Sequence, residues 1–191
     1  VWVAASTRDG EEAMLLDALA ATPLPPGTLS VIVPRHPQRF AVVAELLRQR
    51  GIPFVRRSSN APVRADIDIV LGDSMGEMPG YFAAADVAFV GGSLSAIGGH
   101  NLLEPASLGI PVITGPHNEN AADIFALLVA CGAASVAPDA AGVAAEVCRL
   151  FSDPEERQRR GAAGQAAITD NNGALERLLR LIEPLVSDDA G

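Results

Sequence analysis

The chain has 191 residues, 49% apolar but only 4% aromatic, so its core must be built from Ala, Val, Leu and Ile, and it is long enough to need no disulfide or metal staple. A net charge of −9 with no basic run argues against non-specific binding to nucleic acid or to an anionic membrane surface. No apolar run reaches the roughly 18 residues of a membrane-spanning helix.

The first residues, "VWVAAS", already read as a core strand, which suggests the C-terminal part of a longer protein. Further strands are predicted at Leu29–Val33, Pro53–Val55, Ile67–Leu71, Val87–Val90, Pro111–Thr114 and Ala134–Val136. Helical patterns lie between them, over Glu11–Ala21, Gln38–Arg50, Met78–Ala84, Leu102–Leu108, Ala121–Ala130 and Ala141–Phe151, with two more between Pro154 and Val186. Such alternation of short, wholly apolar strands with helices predicts an α/β fold, a Rossmann-like parallel sheet covered on both faces.

Residues 1–151 should form this domain, and residues 152–191 should be terminal helices that pack on it or cross to a partner domain. Ser152 or Asp153, followed by Pro154 and two acids, marks the start of that tail. Cys131 and Cys148 have no metal-ligand spacing and read as buried free thiols of a reducing compartment.

Ligands of such sheets bind beyond the carboxyl ends of the strands, and the unusual residues collect there. Ser6 and Thr7 follow the first strand, ahead of Glu11, where hydroxyls and free N–H groups can serve a ligand or simply cap the helix. Arg35 and His36, bracketed by prolines, follow the second, and Arg35 can clamp a phosphate or carboxylate.

The loop Gly72-Asp73-Ser74-Met75-Gly76-Glu77 follows the fourth, where a planar base could lie against bare backbone and Met75. After the fifth strand Gly91, Gly92 and Ser93 can present N–H groups to an anion, and Gly98, Gly99, His100 and Asn101 lead into a helix beginning near Asn101 or Leu102. His117 and Asn120 follow the sixth, where His117 can face the cleft or only bond its own loop.

Pro105 belongs in a first helical turn, which places Glu104 there too. A carboxylate in contact with a phosphate would repel it, so Glu104 should reach past the phosphate to both hydroxyls of a ribose. His100 and Glu104 have an i,i+4 spacing, but Pro105 removes the helical register a metal pair would need. The nucleophile elbow GxSxG, the Walker loop and the GxGxxG dinucleotide fingerprint are all missing.

Six segments in order, "STRDGEE", "PRHPQRF", "GDSMGE", "ADVAFVGGSL", "GGHNLLEP" and "GPHNEN", resemble the C-terminal domain of the bacterial 3-deoxy-D-manno-octulosonic acid (Kdo) transferases of lipopolysaccharide assembly. The resemblance runs from Val1 to about Ala130. It implies the C-terminal half of a GT-B glycosyltransferase, with CMP-Kdo as donor and a lipid A precursor as acceptor at the cytoplasmic face of the Gram-negative inner membrane. It also implies no cofactor and no metal.

By the same resemblance Arg35 and Gly91–Asn101 would meet the CMP phosphate, Glu104 the ribose, and Gly72–Glu77 the cytosine. Ser6 and Glu11 would lie near the donor sugar or phosphate. The catalytic base, the membrane anchor and the acceptor surface would belong to an N-terminal domain outside this chain, which alone would be soluble and inactive. The sequence departs from the pattern at Arg8, where relatives often carry His, and at Ser95-Ala96-Ile97. Another GT-B transferase, a UDP-sugar epimerase domain or a non-catalytic nucleotide-binding module are the alternatives.

Overall fold

Seven short strands form one all-parallel sheet in the order β3-β4-β2-β1-β5-β6-β7. They are β1 (Trp2–Thr7), β2 (Ser30–Pro34), β3 (Phe54–Arg56), β4 (Ile69–Leu71), β5 (Val87–Val90), β6 (Val112–Thr114) and β7 (Ala134–Val136). The computed structural model describes residues 1–187, with side chains described through residue 171. The helices are α1 (Glu11–Ala21), α2 (Gln38–Gln49), α3 (Met78–Ala83), α4 (Leu103–Ser107), α5 (Ala122–Ala130), α6 (Ala140–Ser152) and α7 (Pro154–Ser187).

Alternate side chains of β1 enter opposite layers, as strand geometry requires. Trp2 and Ala4 pack with Leu15, Leu16, Val43, Leu47, Val143 and Val147 from α1, α2 and α6. Val3 and Ala5 pack with Val31, Val33, Val70 and Phe82 on the other face. A third cluster joins Val90, Leu102, Ala106, Val112, Leu128 and Ile168, and so seats α4, α5 and α7 on the sheet. The buried Trp2 indole donates to Ser30 Oγ at 2.7 Å, which satisfies its one polar atom.

One helix, α7, runs where two are predicted from the sequence. Gly161 and Gly164 lie inside it, and both are sites of close packing. A Cβ on Gly161 would lie 1.9 Å from the Gly109 carbonyl oxygen, and one on Gly164 would lie 3.1 Å from Ala133 Cβ. Asp153 caps this helix by accepting from the Glu156 N–H at 2.9 Å, ahead of Pro154, and α7 packs on α4, α5 and α6. Residues 188–191 of the expected tail lie outside the described residues. Cys131 and Cys148 are free thiols, partly exposed rather than buried.

The chain winds one way from β1 through β2, β3 and β4, then returns to the other side of β1 to lay down β5, β6 and β7. Loops leaving β1 and β5 therefore diverge, and a crevice opens between them at the carboxyl edge of the sheet.

Candidate functional site at the carboxyl edge of the sheet

A cleft of about 310 Å³ lies at this edge, lined by Ser6, Arg35, Ser74–Gly76, His100, Asn101 and Glu104 over walls from Val33, Pro34 and Met78. Four separate loops, after β1, β2, β4 and β5, thus supply one concavity. Ser6 reaches it because β1 ends in a bulge: its register against β2 slips between Ala5 and Thr7, and Ser6 has φ 54°. A non-glycine residue in that region carries backbone strain, which the flanking sheet holds in place.

The residues just beyond Ser6 face inward. Thr7 is buried and donates to Glu12 Oε1 at 2.8 Å, and Glu12 also receives Arg39 at 2.8 Å. Glu11 is fully buried, and its carboxylate accepts from the backbone N–H groups of Arg8 (2.8 Å), Gly92 (2.8 Å) and Leu94 (3.0 Å). The Gly91 N–H donates to the Ala5 carbonyl at 2.8 Å.

This corrects the expectation that Gly91–Ser93 offer bare N–H groups to a ligand anion with Glu11 beside it. The Gly92 N–H is already taken by the protein's own carboxylate and the Gly91 N–H by the Ala5 carbonyl. Ser93 is likewise buried, donating to the Val90 carbonyl at 2.6 Å and accepting from Gly115 N–H at 2.8 Å.

Gly92 has a further reason to lack a side chain, since a Cβ there would lie 2.9 Å from the His100 ring. Burial first, then the positive charges of Arg8 and Arg35 and the ring of His36, lower the His100 pKa to about 4. Its Nε2 is buried and has no partner among the described residues.

Gly98 and Gly99, at φ 94° and 73°, turn the chain against the following loop. Asn120 holds that turn, donating from Nδ2 to the Ile97 carbonyl at 2.9 Å and from its N–H to the Gly98 carbonyl at 2.9 Å. Asn118 is buried and bonded to Thr114 Oγ1 and the Gly115 carbonyl, both at 2.7 Å. Asn120 therefore shapes the cleft wall from behind. His117 is not among the lining residues; its Nδ1 is 3.6 Å from Glu119 and its N–H bonds the Ser93 carbonyl.

The loop after β4 divides by role. Asp73 is buried and accepts from Arg56 Nε (2.6 Å), Ser58 N–H (2.8 Å) and Ser58 Oγ (2.6 Å), which ties it to the end of β3. Burial alone would raise its pKa, but these hydrogen bonds from Ser58 and Arg56 outweigh burial and lower it. A Cβ on Gly72 would lie 2.8 Å from Val33. Glu77 pairs with Arg57 at 2.7 Å and receives the Ser74 hydroxyl. Only Ser74, Met75 and Gly76 reach the cleft, and Met75 is 60% exposed there.

Helix α4 begins at Leu103, one residue later than the predicted Leu102, where Asn101 Oδ1 accepts the Leu103 N–H at 3.0 Å. Pro105 does occupy the first turn, with Glu104 one residue before it. At five residues α4 has a small dipole, so an anion in the cleft draws more from the Arg35 side chain than from the helix end. Arg35 is exposed and has no carboxylate partner, and the Glu104 carboxylate has no hydrogen-bond donor, among the described residues.

Residues 53–167 match the family Glycosyl transferases group 1. The chain is 44% identical over 186 residues to the 3-deoxy-D-manno-octulosonic acid transferase of Haemophilus influenzae, covering 96% of this chain and 44% of that protein. The Bordetella pertussis protein of the same name is 43% identical over 187 residues, covering 94% of this chain and 43% of its own length. The chain thus spans under half the length of these curated relatives.

Among solved structures it resembles the C-terminal CMP-Kdo binding domain of WaaA from Acinetobacter baumannii, with TM-score 0.83 and 34% identity over 87% of this chain and 88% of that one. Anabaena HepE, solved with UDP, shares the fold at TM-score 0.63 but only 15% identity, covering 97% of this chain and 48% of that one. The expected α/β class holds, with a seven-stranded parallel sheet as the C-terminal half of a GT-B fold. Among the described residues no helix is long and apolar enough to cross a membrane. The chain therefore belongs to the group 1 glycosyl transferases, and within them to the C-terminal domains of the Kdo transferases.

Proposed function

We propose that this chain binds CMP-Kdo as the donor-binding domain of a transferase that moves Kdo to a lipid A precursor in lipopolysaccharide biosynthesis. The observation that carries the reading is that one cleft holds Arg35 and Glu104, a cation without a carboxylate partner and a carboxylate without a hydrogen-bond donor among the described residues. A guanidinium suits the phosphate of CMP, and a carboxylate accepts from both ribose hydroxyls. Met75 and the Ser74–Gly76 backbone give the cytosine an apolar and hydrogen-bonding bed. The 34% identity to a domain described as binding CMP-Kdo supports the same assignment.

In the whole enzyme the acceptor hydroxyl attacks the anomeric carbon of Kdo as its bond to the phosphate oxygen breaks, with inversion. The electron pair stays on CMP, where Arg35 stabilises the leaving charge in a preorganised way, without a metal. The acceptor proton passes to a base outside this chain. The acceptor, a membrane anchor and the cytoplasmic face of the inner membrane are likewise assigned to the remainder of the protein. Residues 1–151 are assigned as the nucleotide-sugar domain, and residues 152–191 as the segment that packs on it or crosses to the other half.

Titration calorimetry with CMP, UMP and UDP tests the reading. CMP should bind more tightly than UMP and UDP by tenfold or more; preference for UDP would overturn it. The chain alone should bind donor without turnover, and Kdo transfer by these 191 residues would overturn that part.

A further inference from the structure

All 14 basic residues of the chain are arginines, and the side chains of 12 are described. Ten of these 12 lie within 4.0 Å of a carboxylate. The two without such a partner among the described residues are Arg8 and Arg35. They follow β1 and β2, which are neighbours in the sheet, and both stand at the carboxyl edge where the cleft opens. In a chain with 23 acidic residues this is selective: among the described residues every guanidinium has a carboxylate within 4.0 Å except the two at the cleft edge.

Arg8 is also held in place. Its Nη1 donates to His36 Nε2, and its Nε is buried with no acceptor among the described residues. A guanidinium nitrogen can only donate, so this buried Nε–H is a donor waiting for an anion. The Arg35 N–H donates to the carbonyl of Thr7, the residue before Arg8, at 3.0 Å, and Arg35 lines the cleft, so the two arginines leave the sheet side by side at its edge. Two like charges so placed repel unless a ligand supplies negative charge to each.

We infer that Arg8 binds the carboxylate of the donor sugar while Arg35 binds the phosphate, so that Arg8 selects an acidic sugar. The inference rests on the cleft being the CMP-Kdo site. In that donor the carboxylate and the phosphate oxygen are bonded to the same anomeric carbon, so two anions arrive side by side. One planar guanidinium cannot engage both through its fork, whereas two on adjacent strands can. A donor with a neutral sugar would leave Arg8 without a counter-charge.

The test compares the affinities of CMP-Kdo and CMP by calorimetry for the unchanged chain, Arg8→Ala, Arg8→Lys and Arg35→Ala, with circular dichroism to confirm folding. Arg8→Ala should lower the ratio of CMP-Kdo to CMP affinity at least tenfold, and Arg8→Lys, which keeps the charge but not the fork, by less. Arg35→Ala should weaken both ligands and hold the ratio within about threefold. Equal losses for both ligands in Arg8→Ala would overturn the carboxylate assignment and leave the CMP site standing. Failure of the unchanged chain to bind CMP would overturn both.

Discussion

The Glu11 carboxylate accepts a 2.8 Å hydrogen bond from the backbone N–H of Gly92, 81 positions further along the chain. With Arg8 and Leu94 it receives three backbone donors, and so locks the loop after β5 to the start of α1. Glu11→Gln would turn an amide N–H₂ toward one of those donors and remove the charge that strengthens the others. The expected loss is about 2–4 kcal/mol of stability, visible as a fall of several degrees in Tm. An unchanged Tm would show that the carboxylate does not hold the loop.

Glu104 offers a sharper test because its assigned partner can be removed from the ligand as well. Glu104→Ala should weaken CMP roughly tenfold, or about 1.4 kcal/mol. It should cost much less with a cytidine monophosphate lacking both ribose hydroxyls. Equal losses for the two nucleotides would place Glu104 elsewhere than on the ribose.

Two glycines make contacts that no side chain can share. A Cβ on Gly115 would lie 2.2 Å from the Ser93 carbonyl oxygen, and on Gly161 only 1.9 Å from that of Gly109. Both obstacles are backbone, so each alanine should cost about 3 kcal/mol or more in denaturant unfolding. Gly80, inside α3, meets nothing within 4 Å, and Gly80→Ala should instead gain roughly 0.5–1 kcal/mol. If all three variants unfold alike, the packing account fails.

Acid should act on His100 before it acts on Asp73. The His100 pKa falls from 6.5 to about 4 on folding, so the folded protein resists protonation while the unfolded chain accepts it. Stability is therefore unaffected by this group above pH 6.5 and declines as pH drops from about 6.5 to about 4. Exposure of part of the ring to the cleft screens the effect and tempers its size. Asp73, with its pKa lowered below 3.8, contributes fully above that value and loses its contribution only at lower pH. Tm measured between pH 4 and 7 should slope less in His100→Gln; an identical slope would remove His100 as the cause.

The sheet was legible in the sequence because each strand is a short apolar run between turn residues, and all seven predicted strands overlap the observed ones. Pro105 likewise located the start of α4 to within a residue. The assignments that failed depended on partners distant in the chain. Gly91–Ser93 looked open to a ligand anion, but the Gly92 N–H is taken by Glu11 and the Gly91 N–H by the Ala5 carbonyl, which only the pairing of β1 with β5 brings there. Two helices were expected where α7 runs as one, and the reason Gly161 within it lacks a side chain, the Gly109 carbonyl, lies on another element. Arg8 departs from the family pattern in sequence, but that it and Arg35 alone among the described guanidiniums lack a carboxylate needs coordinates.

The Gly161–Gly109 contact also fixes how the long last helix can sit. Gly109 closes the turn that leaves α4, and α4 carries Glu104. Sliding α7 by one residue, or rotating it, would press a side chain against the Gly109 carbonyl, so the helix has a single seat, like a key cut for one notch. Because the obstacle is a backbone carbonyl, α7 and the turn that leaves α4 can shift only together, and α4 is the element that carries Glu104.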